Sequence, residues 1–275
     1  MNICFIGGGN MAGALLGGLL QQGYSPAQIG VVEINAEQRD RIKREFSVEA
    51  TAELSNGVAK SGEAGPGVIV LAIKPQQLSM VARELAPLLS DQLVISIAAG
   101  IRATDISHWM GGYRQVVRAM PNTPALVRAG VTGLYALPGV DKERRAHAET
   151  ILGTVGSIVW CEQEELLHAV TAVSGSGPAY VFYFIEAMQQ AALELGLSAA
   201  QARQLSLETF FGAAKLAIQD RENTAVLRVR VTSPGGTTER AIASLENDDV
   251  KGAIVRAIKK SYQRSRELGD ELGST

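Results

Sequence analysis

The sequence predicts an α/β chain in which a doubly wound parallel sheet is followed by an all-helical second domain. Three observations carry that expectation. Short apolar runs alternate with helical patterns from residue 2 to about residue 160, the signature of βαβ units. The first run stops at Gly7-Gly-Gly-Asn-Met-Ala12, a glycine-rich turn opening a helix. After Cys161 the strand signals nearly vanish. The division expected is residues 1–161 for the doubly wound domain and 162–275 for the helical one.

Residues 2–6 (Asn-Ile-Cys-Phe-Ile) form a short apolar strand, with a helix from about Asn10 to Gln22 after it. Gly7-x-Gly9-x-x-Ala12 between them matches the dinucleotide fingerprint, in the strand–turn–helix context it needs. Gly7 makes the tight turn, Gly9 lets a pyrophosphate approach the backbone, and Ala12 permits close packing of helix on strand. A second strand, Ile29 to Ile34, ends where an adenosine ribose is read. Glu33 stands about twenty residues beyond Ala12, the position of an acidic ribose ligand. A carboxylate there accepts from a 2′-hydroxyl and repels a 2′-phosphate, which points toward NADH. Arg39 or Arg41 in the next helix offers the opposite preference.

Val68 to Ile73 is a strand ending in Lys74-Pro75, and Gln76 to Leu89 a helix. Leu93 to Ala98 is another strand, ending Ala98-Ala-Gly100, and Thr104 is placed to cap a helix through Trp109. Gln115 to Met120 is the fifth strand, followed by the stiff loop Met120-Pro-Asn-Thr-Pro124. Val131 to Leu137, a helix near Asp141 to Gly153, and Ser157 to Trp160 complete the domain. Ligands of such sheets bind at the C-terminal strand ends, where Ala72, Lys74 and Ala98 to Gly100 fall. Lys74 is either a coenzyme-side cation or a solvated strand-end lysine.

In the second domain Glu164 to Ala172 is helical, and Ser174-Gly-Ser-Gly-Pro-Ala179 reads as a Gly/Ser turn opening a long helix to about Leu195. That helix is apolar around much of its circumference, so it needs burial in a core or against a second subunit. A dimer made through helices follows. Ser198 caps the next helix, to about Asp220, and helices follow Pro234 and Val250. Val231-Thr-Ser-Pro-Gly-Gly-Thr-Thr-Glu239 reads as a helix start with Ser233 at the N-cap and Pro234 at the first helical position. Unpaired N–H groups and the positive end of the helix dipole suit such a start to an anion.

With 275 residues, 46% hydrophobic and 20% charged, the chain has enough apolar material for two domains. A formal net charge of −2 gives no basis for a nucleic-acid partner or an anionic membrane surface. No uninterrupted apolar stretch reaches the ~18 residues of a membrane span. Cys4 and Cys161 lack metal or redox spacing. Few cysteines and no signal peptide point to the cytoplasm. No metal is signalled, and His108, His147 and His168 are not clustered.

Four stretches, in this order and spacing, resemble the pyrroline-5-carboxylate reductase family: Phe5-Ile-Gly-Gly-Gly-Asn-Met11, Val117-Arg-Ala-Met-Pro-Asn-Thr-Pro124, Val173-Ser-Gly-Ser-Gly-Pro-Ala-Tyr180 and Val231-Thr-Ser-Pro-Gly-Gly-Thr-Thr238. The resemblance covers essentially the whole chain, and the last two stretches are close to diagnostic. It implies reduction of the cyclic imine Δ1-pyrroline-5-carboxylate to L-proline, the last step of proline biosynthesis, with hydride from NADPH or NADH and no metal. It further implies a Rossmann-type domain and an interlocked helical homodimer, in some members assembled as a decamer of five dimers. The family's active site lies between one subunit's nucleotide domain and the helical domains of the dimer.

On this resemblance Ile6, Gly7, Gly8, Gly9, Asn10, Met11, Asn56, Ala72, Ile73, Lys74, Pro75, Ala98, Ala99 and Gly100 match coenzyme contacts. Glu164, Ser233, Gly235, Gly236, Thr237 and Thr238 match the substrate side, Thr238 being the threonine whose hydroxyl faces the imine nitrogen. The N–H groups of Gly236 to Thr238 and the Ser233 hydroxyl are expected to hold a carboxylate, with Thr238 orienting or relaying a proton. Two positions depart from the pattern. Members that prefer NADPH often have a small polar or basic-flanked group where Glu33 stands, and some have Asn where Arg230 stands. A β-hydroxyacid dehydrogenase would instead need a catalytic lysine on an interior helix, for which Lys215 is the one mid-domain candidate. A sensor that binds nicotinamide dinucleotides without turnover is the reading from another class.

Overall fold

The computed structural model describes residues 1–59, 65 and 67–273. Its strands are β1 (Ile3–Ile6), β2 (Ile29–Val32), β3 (Glu49–Thr51), β4 (Val68–Leu71), β5 (Leu93–Ser96), β6 (Val116–Met120), β7 (Gly130–Ala136) and β8 (Gly156–Trp160). They form one sheet in the order β3-β2-β1-β4-β5-β6-β7-β8. Chain direction is parallel throughout except between β6 and β7. That reversal has a local cause. Residues 121–129, with a short 3₁₀ turn at Thr123–Val127, are too few for the crossover helix that a parallel partner requires.

Every residue of β1, β4 and β5 is buried, as expected of strands covered on both faces. Period-two alternation divides them between two cores. Ile3, Phe5, Val68 and Val70 pack with Leu15, Leu16 and Leu19 of α1 (Asn10–Gln21), while Cys4, Ile6, Ile69 and Leu71 pack on the other face. That second core continues through Leu78 and Leu85 of α4 (Pro75–Leu85) and Ile106 of α5 (Ala103–Trp109). Each such side chain contributes roughly 1.5–3 kcal/mol by leaving water. Burial also pushes the Cys4 thiol up to about 12, which makes it a packing residue rather than a nucleophile. Between these, α2 (Ala36–Phe46) follows β2, α3 (Leu54–Ala59) follows β3, and α6 (Lys142–Leu152) precedes β8.

After the sheet come α7 (Leu166–Val170), α8 (Gly177–Glu194), α9 (Ala199–Gln219), α10 (Thr224–Arg230), α11 (Thr237–Asn247) and α12 (Val250–Gly273). The described chain forms two compact units. One comprises Met1–Ser176 together with the chain from Ser261 onward, and the other is Gly177–Lys260. Within the second unit α8 and α9 form an antiparallel-type hairpin whose turn is closed by the Ser198–Gln201 capping box. In α8 only Ile185 is buried.

Several local expectations are corrected. Ser233 is not the cap of a helix, nor is Pro234 its first residue. Helix α11 begins at Thr237 behind Gly236, and Ser233 to Gly236 form a turn closed by the Gly236 N–H on the Ser233 carbonyl at 3.0 Å. Gly235 has φ +71°, which a right-handed helix cannot contain; Pro then Gly at the two central positions suits a type II turn. Thr104 does not cap α5, which starts one residue earlier and takes its cap from a distant carboxylate. The Ser174 to Ala179 stretch is not a turn. Thr171–Gly175 is a π-helical segment leading into α8, with the Thr171 and Ser174 hydroxyls donating to the carbonyls of Leu167 and Val170.

Candidate functional site

Three strand ends make a cavity of about 550 Å³ at the point where chain order reverses about β1. The β1–α1 turn supplies Ile6, Gly7, Gly8 and Gly9, the end of β2 supplies Glu33, and the end of β4 supplies Ala72, Ile73 and Lys74. The three glycines are constrained differently. Gly7 has φ +102°, and a Cβ there would stand 2.4 Å from the Ala72 carbonyl oxygen. One at Gly8 would collide with Ile42, whereas Gly9 faces open space and so lets a ligand meet its backbone.

The Glu33 carboxylate is fixed by two backbone donors, the N–H groups of Gly8 and Asn35, each at 2.8 Å. A carboxylate has about four acceptor positions, so a ribose diol can still be received. Arg39 donates to the carbonyls of Glu33 and Ile34, and Arg41 to that of Gly8. Both arginines therefore brace the wall. The Gln38 Oε1, on the same wall, is buried without a partner among the described residues. An unpaired buried acceptor, a glycine open to the cavity and a bound carboxylate fit an adenosine dinucleotide.

Asn10 and Met11 open α1 and Pro75 opens α4, all outside the cavity lining. Asn56 lies on α3, its amide donating to Glu53. Ala98, Ala99 and Gly100 follow β5, the next strand along from β4, and Gly100 has φ +83°. Sequence reasoning missed other lining residues: Val32, Asn35, Gln38, Leu54, Gln77 and Met80 among them. The signal available was Asn35, which caps α2 by accepting from the Gln38 N–H.

Glu164 accepts from Arg118 Nη1 at 3.0 Å and from the Ala103 N–H at 2.6 Å. Arg118 is 2% exposed, so this is a buried ion pair that also caps α5. Arg118 escaped the sequence reading although a lone charge in Val116-Val-Arg-Ala-Met120 was its signal. Asn122, in the loop after β6, accepts from the Val131 N–H and donates to the Ser174 carbonyl.

In the second unit, Thr237 and Thr238 are the first two residues of α11. Their N–H groups precede the first intrahelical bond, Arg240 N–H to Gly236 O. The Gly236 N–H is already committed to Ser233, so the donors that this helix start leaves for an anion are those of Thr237, Thr238 and Glu239. Glu239 accepts from the Gly235 N–H at 2.8 Å. Arg230 pairs with Asp220 and Glu222. Lys215 is exposed, its ammonium 6.0 Å from the centre of the Phe211 ring, rather than on an interior helix face. Among the described residues no group of carboxylates, histidines and cysteines could hold a metal.

A doubly wound sheet with a glycine-rich cavity at its switch point, joined to a helical part, defines a dinucleotide-dependent oxidoreductase. Residues 2–100 match the model described as NADP oxidoreductase, coenzyme F420-dependent, and residues 164–268 that of pyrroline-5-carboxylate reductase dimerisation. The chain is 45% identical to the pyrroline-5-carboxylate reductase of Pseudomonas aeruginosa over 98% of both chains. A pyrroline-5-carboxylate reductase structure from Coxiella burnetii superposes with a TM-score of 0.91 at 42% identity, covering 97% of this chain and 98% of that one. The Plasmodium falciparum enzyme, solved with NADP bound, gives 0.86 at 26% identity over 98% of each chain. The chain belongs to the pyrroline-5-carboxylate reductase family.

Proposed function

We propose that this chain reduces Δ1-pyrroline-5-carboxylate to L-proline, closing proline biosynthesis. The observation that supports the reading is the glycine-lined cavity of about 550 Å³ at the β1–α1 turn, in a chain whose other unit carries, at the start of α11, N–H groups suited to an anion. Coenzyme-binding roles fall to Ile6 through Met11, Glu33, Asn56, Ala72 through Pro75 and Ala98 through Gly100, within residues 1–161. Substrate binding and dimerisation fall to residues 162–275.

Bound there, NADPH or NADH supplies the hydride. The protein's contribution is geometry and proton placement. The Ser233 hydroxyl and the Thr237 and Thr238 N–H groups receive the substrate carboxylate, and that fixes the ring with its imine carbon presented for hydride addition. The Thr238 hydroxyl donates to the imine nitrogen. A threonine is a weak acid, so it orients the ring and relays a proton from water rather than supplying one alone. Glu164 acts through its hold on Arg118 and α5. Glu33 favours NADH, since its carboxylate, fixed by Gly8 and Asn35, accepts from a 2′-hydroxyl and repels a 2′-phosphate. We assign the working form to a cytoplasmic homodimer, with the decamer of five dimers as its larger assembly.

Oxidation of NADH and NADPH is followed side by side with Δ1-pyrroline-5-carboxylate. The expected result is turnover with both and a higher kcat/KM for NADH. Glu33→Gln keeps an acceptor for Gly8 but removes the charge, and should move the ratio toward NADPH by about tenfold. An unchanged ratio would show that Glu33 does not read the ribose. Binding of both dinucleotides with no turnover would leave the sensor reading instead.

A further inference from the structure

The last two turns of α12 rest on the loop after β5. A Cβ at Gly269 would stand 3.0 Å from the Gly100 carbonyl oxygen and 3.5 Å from His168 Cε1. From the other side, a Cβ at Gly100 would meet Leu268 at 3.4 Å and Leu272 at 3.5 Å. Arg102, two residues on, is ion-paired with Asp270. The His168 Nδ1 and Ser265 Oγ lie 2.9 Å apart, both buried, and fix the helix one turn earlier.

Glycine within a helix is costly, because alanine is the better helix former by roughly 0.5–1 kcal/mol. Gly269 is buried and lies inside α12. Its lack of a side chain is what permits the helix to lie against the Gly100 carbonyl. Gly100 sits at φ +83°, which glycine adopts without strain, and it is the contacts of Leu268 and Leu272 that bound the loop on this side.

We propose that Gly269 is a positioning residue for coenzyme binding: it lets α12 press on Gly100 and so sets the Ala98–Gly100 loop that follows β5. The proposal rests on the reading of that loop as a coenzyme contact. The cavity at the ends of β2, β1 and β4 accounts for the adenosine side, and β5 is the next strand in the sheet. A dinucleotide extending from the β1–α1 turn past β4 therefore reaches the Ala98–Gly100 loop with its nicotinamide half. Displacing Gly100 by a few tenths of an ångström would misplace that half while leaving the adenosine cavity intact.

The test uses the full-length enzyme with Gly269→Ala and Gly269→Val, titrated with NADH and NADPH by fluorescence and assayed for turnover. Gly269→Val should weaken coenzyme binding and raise coenzyme KM roughly tenfold, and Gly269→Ala a few-fold. KM for the imine at saturating coenzyme should stay within twofold of wild type. Should the valine variant fail to fold, the alanine variant decides by the same criteria. Unchanged coenzyme affinity in a folded variant overturns the proposal. So does a parallel loss of every kinetic parameter with thermal stability, which would mark the contact as merely structural. Gly9→Asp serves as the control that abolishes dinucleotide binding. A wild type that binds no dinucleotide would refute the coenzyme reading itself, whatever the Gly269 variants do.

Discussion

Thr238 illustrates how much a single residue can be asked to do. Its hydroxyl contributes one hydrogen bond to the imine nitrogen in the proposed mechanism, which is worth about tenfold in rate. Thr238→Val keeps the shape and removes the donor. Turnover should fall by about tenfold with coenzyme affinity unchanged, measured by steady-state kinetics and direct NADPH titration; undiminished turnover would remove the hydroxyl from the mechanism. At this scale the sequence was most informative where backbone geometry leaves one option. Gly7 and Gly9 could be given separate duties because a tight turn and a close approach each exclude a side chain. Ser233 was assigned the wrong local duty, since Ser-Pro fits a helix start and a type II turn alike and only Gly235 at φ +71° decides between them.

Elements became legible in proportion to their length and apolar content. The buried strands stood out as continuous apolar runs, while β3 did not, being three residues with a charge at its start and an edge of the sheet. Tertiary ties were not legible at all. The start of α5 is satisfied by Glu164, 61 residues away, which also neutralises the buried Arg118. Glu164→Ala should therefore cost about 3–5 kcal/mol, because it strands a buried guanidinium and an unpaired N–H. That is a fall of about 10 °C in the thermal midpoint for a chain of this size. A midpoint within 2–3 °C of wild type would mean water replaces the carboxylate. The junction of α7 with α12 carries a pH signature of its own. Burial first, and then Arg118, hold His168 below its ordinary value of 6.5, with Arg102 and Arg266 acting in the same direction and Glu165 opposing. The neutral imidazole's contribution is complete above pH 6.5 and is lost as pH falls through the lowered folded value. Thermal stability should drop more steeply in wild type than in His168→Gln as pH falls from 6.5 to that folded value. Identical pH profiles would assign the acid sensitivity to other groups.

At the scale of the whole molecule, the doubly wound sheet was foreseeable because alternation of strand and helix permits few topologies. The antiparallel β7 was not singled out, although the short 121–129 connection contained the reason. The helical part poses a different physical problem. Phe182, Tyr183, Phe211 and Ile218 are 58%, 72%, 70% and 84% exposed, far more apolar surface than a helical hairpin in water normally shows. Their unit carries most of the match to the dimerisation model, and burial against a second copy would remove that exposure. A chain paired in this way would gain part of its stability from association, so its thermal midpoint should rise with protein concentration. Phe211→Glu tests the surface directly. On a face that stays in water the change is worth no more than about 0.5 kcal/mol and leaves the assembly alone. Inside a subunit interface it buries an unpaired carboxylate and should shift the species in sedimentation velocity toward monomer at micromolar concentration. A dimer that keeps its mass on dilution in the presence of this substitution would place the interface on another face of the helices.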